Sequence, residues 1–228
     1  AAARLADAIQ VFRGTGDGGV NGRRDLDLIN PLGITFADLN QDGRADFLVR
    51  QMDGVSVVQT TRPFHGPVVP VADFGAWNFV PVRTSDLDGD GIPDLYGTGF
   101  AGSGIRMSHG ERGLDLVGGR LSQIGPGAQS FAMGHIDGDP WLDAVVVDRD
   151  APFLTIAVGK GDGTFRTART INLRGTAVYA VAGRFTDDAV TDLVAVRPDA
   201  VELLEGRGGL EFAEGRPIES GGWFDVVV

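Results

Sequence analysis

Short apolar runs separated by glycine- and aspartate-rich turns recur along the whole chain. Between residues 33 and 60 they read "GITFA", "FLV" and "VSVVQT"; between residues 130 and 158 they read "SFAMG", "AVVV" and "LTIAV". Apolar runs this short, rich in Val and Phe and bounded by turn residues, predict strands rather than helices. Helical periodicity is scarce. "RLADAIQVF" reads as one or two amphipathic turns, and "RGTGDGG" stops it at once. The chain has 35 glycines in 228 residues, roughly double the usual share of ~7%, which supports many tight turns.

The pattern repeats, and an acidic loop marks its period. "TSDLDGDGIPDLYG" places Asp86, Asp88, Asp90 and Asp94 within nine residues. In the same register stand Asp38, Asn40, Asp42 and Asp46; then His135, Asp137, Asp139 and Asp143; then Arg184, Thr186, Asp188 and Asp192. The first positions are 38, 86, 135 and 184, so the steps are 48, 49 and 49. An apolar run precedes each loop and two follow it. A fourth run is expected to be shorter and more polar. Four short strands per repeat, here named A to D with the acidic loop between A and B, make the blade of an all-β propeller.

The two ends look like parts of one blade. Residues 1 to about 30 match strands B, C and D, and "GGWFDVVV" at the end matches strand A. Pairing them would close the ring and remove two open sheet edges. The expectation is therefore a single β-propeller domain over 1–228 with five four-stranded blades: 1–30 plus 221–228, 31–78, 79–127, 128–176 and 177–220. A piece of a larger propeller is the rival. The opening "AAARLADAIQ" has neither an initiator Met nor a signal-peptide shape, which suggests a processed or excised domain.

Bulk composition narrows the function. A net charge of −11 argues against nucleic-acid binding and suits a protein that binds cations or stays soluble outside cells. No run is long and apolar enough to insert in a membrane. The absence of cysteine excludes disulfides and thiolate metal sites. One lysine against 19 arginines suggests a GC-rich bacterial source.

The D-x-D-G-D-G-x-x-D loop after an apolar strand, together with the "GKGDGTF" turn at residues 159–165, resembles the FG-GAP/VCBS repeats of integrin α-chain propellers and their bacterial relatives. The resemblance covers nearly the whole chain. It implies a propeller with Ca²⁺ in the A–B loops and a secreted or cell-surface role in adhesion or ligand binding, with no particular ligand specified.

The residues themselves suit calcium. Ca²⁺ takes six to eight oxygens at about 2.4 Å. In the second loop Asp86, Asp88 and Asp90 would point inward, Ile92 would offer its carbonyl, and Asp94 would close the shell. In the first loop the same places hold Asp38, Asn40, Asp42, the Arg44 carbonyl and Asp46. The third keeps Asp137, Asp139, the Trp141 carbonyl and Asp143, but has His135 at position 1 and Pro140 where Gly91 stands. The fourth has Arg184 at position 1, placed to pair with Asp188 or Asp192 in place of an ion. Occupancy is expected in the order second, first, third, with none in the fourth: two calcium sites and a weaker third. An EF-hand would need Glu at position 12, where the second loop has Gly97. Zn²⁺ would want His or Cys, absent from the two best loops.

Catalytic signatures are missing: His65, His109 and His135 fall at unrelated repeat positions. Expected function is a non-enzymatic adhesion or protein-recognition module. A calcium-dependent lectin is the alternative, and a catalytic propeller with its site at the channel mouth is a third. A protein or glycan partner is expected on the face opposite the acidic loops, where Trp77, Phe100, Asp148, Arg149, Arg197 and Trp223 would sit.

Overall fold

In a computed structural model of the protein, the residues described are 2–5, 8–52, 54–61, 68–70, 82–98, 104–111, 115–125, 127–148 and 150–220. Among them there is no helix. An N-terminal sheet runs β1 (Ala2–Leu5), β2 (Ala8–Gly14), β3 (Val20–Asp27). Four antiparallel four-stranded sheets follow. The first is β4 (Pro31–Ala37), β5 (Asp46–Gln51), β6 (Val55–Val58), β7 (Val68–Pro70), and the second is β8 (Val82–Ser85), β9 (Asp94–Thr98), β10 (Gly104–Glu111), β11 (Asp115–Gln123). The third is β12 (Ala128–Gly134), β13 (Asp143–Asp148), β14 (Phe153–Gly159), β15 (Phe165–Asn172). The fourth is β16 (Tyr179–Gly183), β17 (Asp192–Val196), β18 (Ala200–Leu204), β21 (Arg216–Ser220), with a small hairpin of β19 (Gly206–Gly208) and β20 (Glu211–Phe212) inserted before its last strand. This is an all-β, propeller-like succession of sheets.

The first three four-stranded sheets bury both faces against their neighbours, so their middle strands are largely apolar rather than alternating. Every residue of β13 and β17 is buried. Alternate residues then enter alternate interfaces. In β13, Ala144 and Val146 join a core with Tyr96, Ile105, Met107 and Phe131 from the second and third sheets. Val145 and Val147 join another with Leu193, Ala195 and Leu204 of the fourth. Leu48, Val55 and Val57 meet Val82 and Leu95, while Ile9, Val11 and Leu26 meet Val49 and Val58. Neighbouring sheets touch in order: β4 packs on β8, and β12 packs on β9 of the second sheet and on β16 of the fourth.

Two expectations are corrected. "RLADAIQVF" is no helix: β1 and β2 form an antiparallel hairpin there, with Ile9 and Val11 turned to one face. Strand D varies in length instead of being uniformly short: β3, β11 and β15 span 8, 9 and 8 residues, while β7 and β21 span 3 and 5. A strand paired on one side only can carry solvated side chains, as β3 and β15 do.

The four sheets share one buried clamp. The last aspartate of each acidic loop is at most 1% exposed. One oxygen accepts from the loop: Asp46 from Leu39 N at 3.2 Å, Asp94 from Leu87 N at 2.8 Å, Asp143 from Ile136 N at 2.7 Å, Asp192 from Phe185 N at 2.8 Å. The other accepts from the end of strand C or from two residues beyond it: Thr60 N at 2.8 Å, Gly110 N at 3.0 Å, Gly159 N at 3.0 Å, Gly206 N at 2.8 Å. One carboxylate thus fastens the start of the A–B loop to the far end of the sheet's third strand. A buried charge is tolerated only when hydrogen-bonded in this way.

Because the fourth loop has Arg184 and Thr186 where the others carry carboxylates or their substitutes, Asp192→Ala isolates the clamp from any cation. It should destabilise the protein by about 3 kcal/mol, since hydrogen bonds to a charge contribute about 1.5–3 kcal/mol each and their loss leaves buried donors unpaired. Urea unfolding measures this; a loss below about 1 kcal/mol would show the clamp to be dispensable.

Candidate metal centre

The second loop gathers its acids. Carboxylate oxygens of Asp86, Asp88 and Asp90 lie within 4.8 Å of one another. Short backbone turns hold them: Asp86 accepts from Gly89 N at 2.7 Å and Gly91 N at 2.9 Å, Asp88 from Asp90 N at 3.1 Å, and Asp90 from Ile92 N at 2.7 Å. Gly89 and Gly91 take φ of 80° and 84°, the left-handed region that side chains disfavour. Several anionic oxygens converging on one point repel each other, and a hard divalent ion offsets that repulsion. Asp86, Asp88 and Asp90 thus offer the hard oxygen donors that Ca²⁺ takes and would hold it, while Asp94 converges with Asp88 and His109 rather than with Asp86 and Asp90.

The third loop also gathers. Asp137, Asp139 and Asp143 lie within 4.8 Å of one another. Pro140 removes one left-handed position, and Gly138 supplies the other at φ 92°. His135 does not join the acids. Its Nδ1 lies 3.0 Å from the Trp141 carbonyl oxygen, the atom expected to face an ion. The first loop is looser. Asp38, Asp42 and Asp46 are not among the described groups of three that converge this closely. Arg44 Nη1 instead approaches Asp42 Oδ2 at 3.3 Å, while Asn40 accepts from Asp42 N at 3.0 Å. In geometry the third loop thus stands ahead of the first, because Arg44 neutralises a ligand there.

In the fourth loop, among the described residues, Arg184 makes no ion pair with Asp188 or Asp192. The Thr186 hydroxyl donates to Asp192 at 3.0 Å instead. The clamp satisfies Asp192 from within, and the guanidinium remains at the exposed surface.

Neighbouring loops are stitched together. Gln41 of the first donates to the Gly91 carbonyl of the second. Thr191 of the fourth donates to the His135 carbonyl of the third at 2.7 Å. The Trp141 ring of the third loop lies against Gly89 of the second loop and Gly161 of the "GKGDGTF" turn. Between the third and fourth loops a cleft of about 620 Å³ is lined by His135, Asp137, Asp139, Arg184, Thr191 and Gly208, among others.

At the other end of the sheets, Asp148 is only 6% exposed and accepts from Asp150 N at 2.9 Å. Arg197 pairs with Asp199 and with buried Glu202 at 2.9 Å. Both side chains serve the B–C turns. Trp77, Phe100, Arg149 and Trp223 lie outside the described residues.

Sequence reasoning passed over His109. It stands on β10, and its Nδ1 is 2.9 Å from Asp88 Oδ2 and 3.6 Å from Asp94 Oδ1. The available signal was its position: it precedes the clamped Gly110, as Gln59, Val158 and Glu205 precede the clamped residues of the other sheets.

No family model and no curated protein matches the sequence. Solved structures do. A lectin of Agrocybe aegerita, described for specific recognition of non-reducing terminal N-acetylglucosamine, aligns with a TM-score of 0.68 at 18% identity, over 92% of this chain and 60% of that one. BBS1N, solved in complex with ARL6DN, aligns in two structures. Their TM-scores are 0.55 and 0.53 at 13% and 16% identity, covering 92% and 81% of this chain and 61% and 56% of theirs. The chain thus spans about 60% of the length of that lectin. At these identities the likeness defines a class of fold, the propeller-like all-β proteins.

Burial raises the pKa of Asp46, Asp94 and Asp143 above the ordinary carboxylate value, against the pull of their amide donors. A folded-state pKa above the unfolded one favours folding at low pH, and that contribution fades as pH rises through the folded value. The chelator-treated protein should therefore melt higher at about pH 5 than at pH 7, and Ca²⁺ at neutral pH should restore the lost stability. A chelator-treated melt that falls steadily on acidification would contradict this.

Proposed function

We propose that the chain is a calcium-stabilised recognition module on a closed five-bladed propeller of the FG-GAP/VCBS type, non-catalytic and extracellular. Closure is supported by the fourth sheet. Val194, Val201 and Leu203 are buried on its face turned away from the third sheet. Such a face needs a cover, and among the described residues the N-terminal sheet has three strands.

The observation that carries the functional reading is the linked loop face. Acidic loops of successive sheets contact one another through Gln41, Trp141 and Thr191, so an ion in one loop braces the surface formed by all of them. That surface holds the cleft between the third and fourth loops, within the range of small-ligand sites. Carboxylates, a guanidinium, a hydroxyl and glycine backbone line it, a set that suits a polar, hydrogen-bonding ligand. The loop face is therefore the docking end in this reading, since Asp148 and Arg197 at the other end are engaged in their own turns.

A carbohydrate is the favoured ligand class, because one of the solved structures that this chain resembles is a lectin described for recognition of N-acetylglucosamine. A protein ligand is the second reading, supported by the likeness to a propeller-like chain solved with a protein partner. A glycan array with Ca²⁺ and with chelator separates them. Calcium-dependent binding lost in Arg184→Ala is the expected outcome; silence across the array in both conditions would reject the carbohydrate reading.

A further inference from the structure

The second loop differs from the other three in one donor. A cation shell of oxygens alone is what the loop itself supplies, but the fold adds an imidazole from a separate strand. The β9–β10 pairing sets Ser108 opposite Leu95, which carries His109 alongside Asp94 and over the loop. Its Nδ1 forms a compact triad with Asp88 and Asp94, all three donor atoms within 4.8 Å of one another. The nitrogen-to-oxygen separations are 2.9 and 3.6 Å. Ligands about 2.05 Å from a tetrahedral ion stand about 3.3 Å apart, a value these two separations straddle. The comparable residues, Gln59, Val158 and Glu205, include no second imidazole, so this donor belongs to one loop only.

The geometry points to a site in the second loop for a first-row transition dication of the zinc type, bound through His109, Asp88 and Asp94, with the third loop left as the oxygen-only calcium site. Imidazole is a favourable ligand for zinc and its neighbours and a poor one for calcium, which takes oxygen. Both oxygens of Asp94 already accept backbone N–H groups. A carboxylate oxygen has two lone pairs, so each can accept and still coordinate. Those amides do what an outer shell does for metal ligands: they fix the carboxylate's orientation before the ion arrives. Asp86 and Asp90, within 4.8 Å of Asp88, are placed to support the remaining coordination. The proposal rests on the reading of the second loop as a cation site, and it reverses the expectation from sequence that no histidine serves that loop.

The test is calorimetric titration of the metal-free full-length protein with Zn²⁺ and, separately, with Ca²⁺, for the wild type and His109→Gln. Wild type should bind one Zn²⁺ more tightly than any Ca²⁺. His109→Gln should weaken Zn²⁺ by about tenfold or more, the least expected where even an outer-shell partner is worth 10–100-fold, and leave Ca²⁺ uptake by the third loop unchanged. Substituting Co²⁺ gives a spectroscopic reading of nitrogen ligation in the wild type. The ¹⁵N shift of the His109 imidazole on adding Zn²⁺ gives another, which needs no variant to fold. Zinc affinity unchanged in His109→Gln, or no imidazole shift, would overturn the proposal and make His109 an internal counter-cation for Asp88. If Ca²⁺ binds normally in that case, only this inference fails; if neither ion binds, the calcium reading fails with it.

Discussion

One buried carboxylate per sheet holds the architecture in register. Asp46, Asp94, Asp143 and Asp192 each join the start of the acidic loop to the far end of strand C, through amides that would otherwise be buried without partners. The loop cannot move without breaking charge-assisted hydrogen bonds in a dry environment, where they are strong. Everything at the loop end follows from that restraint: the convergence of the remaining acids, the contact between neighbouring loops, and the approach of His109 to Asp88.

The clamp also explains why the repeat tolerates decay in the rest of the loop. The fourth loop has replaced its first two ligands with Arg184 and Thr186, yet Asp192 keeps all its partners and gains the Thr186 hydroxyl. Its pKa is held below the ordinary value: burial raises it, but the amides of Gly206, Phe185 and Thr186, with the Thr186 hydroxyl, outweigh burial. In Asp46, Asp94 and Asp143 burial wins, with neighbouring carboxylates adding to it. The acids that remain beside these three make their charge costly, and a cation would relieve it. One residue type thus serves two roles, a scaffold role in all four sheets and an ion-facing role where other carboxylates remain nearby.

Much of the fold was legible in the residues. The steady spacing of the acidic loops marked the repeat, and the apolar runs around them marked strands A, B and C. The two-sided burial of β13 and β17 was visible as unbroken apolar sequence. What the pattern concealed was three-dimensional. Position 9 reads as a metal ligand because aspartate is the right residue for both roles; its persistence in the fourth loop, where the first two ligands are lost, was the usable clue. His109 is fifteen residues beyond Asp94, and only strand pairing brings them together. Trp141 covers a neighbour's loop because adjacent sheets meet there, a contact no local window contains. Asp148 looked like a surface residue and is a turn-holding one, since a short carboxylate beside a B–C turn finds backbone donors before it finds solvent.

Native-state hydrogen exchange at the clamped amides tests the central claim most directly. The amides of Thr60, Gly110, Gly159 and Gly206 lie at or just past the ends of strands, where fraying normally lets protons exchange freely. The account predicts that all four exchange only with global unfolding, in the presence of chelator as well as of calcium. Rapid exchange at these amides in the chelator-treated protein would contradict it and transfer the organising role from the carboxylate to the ion.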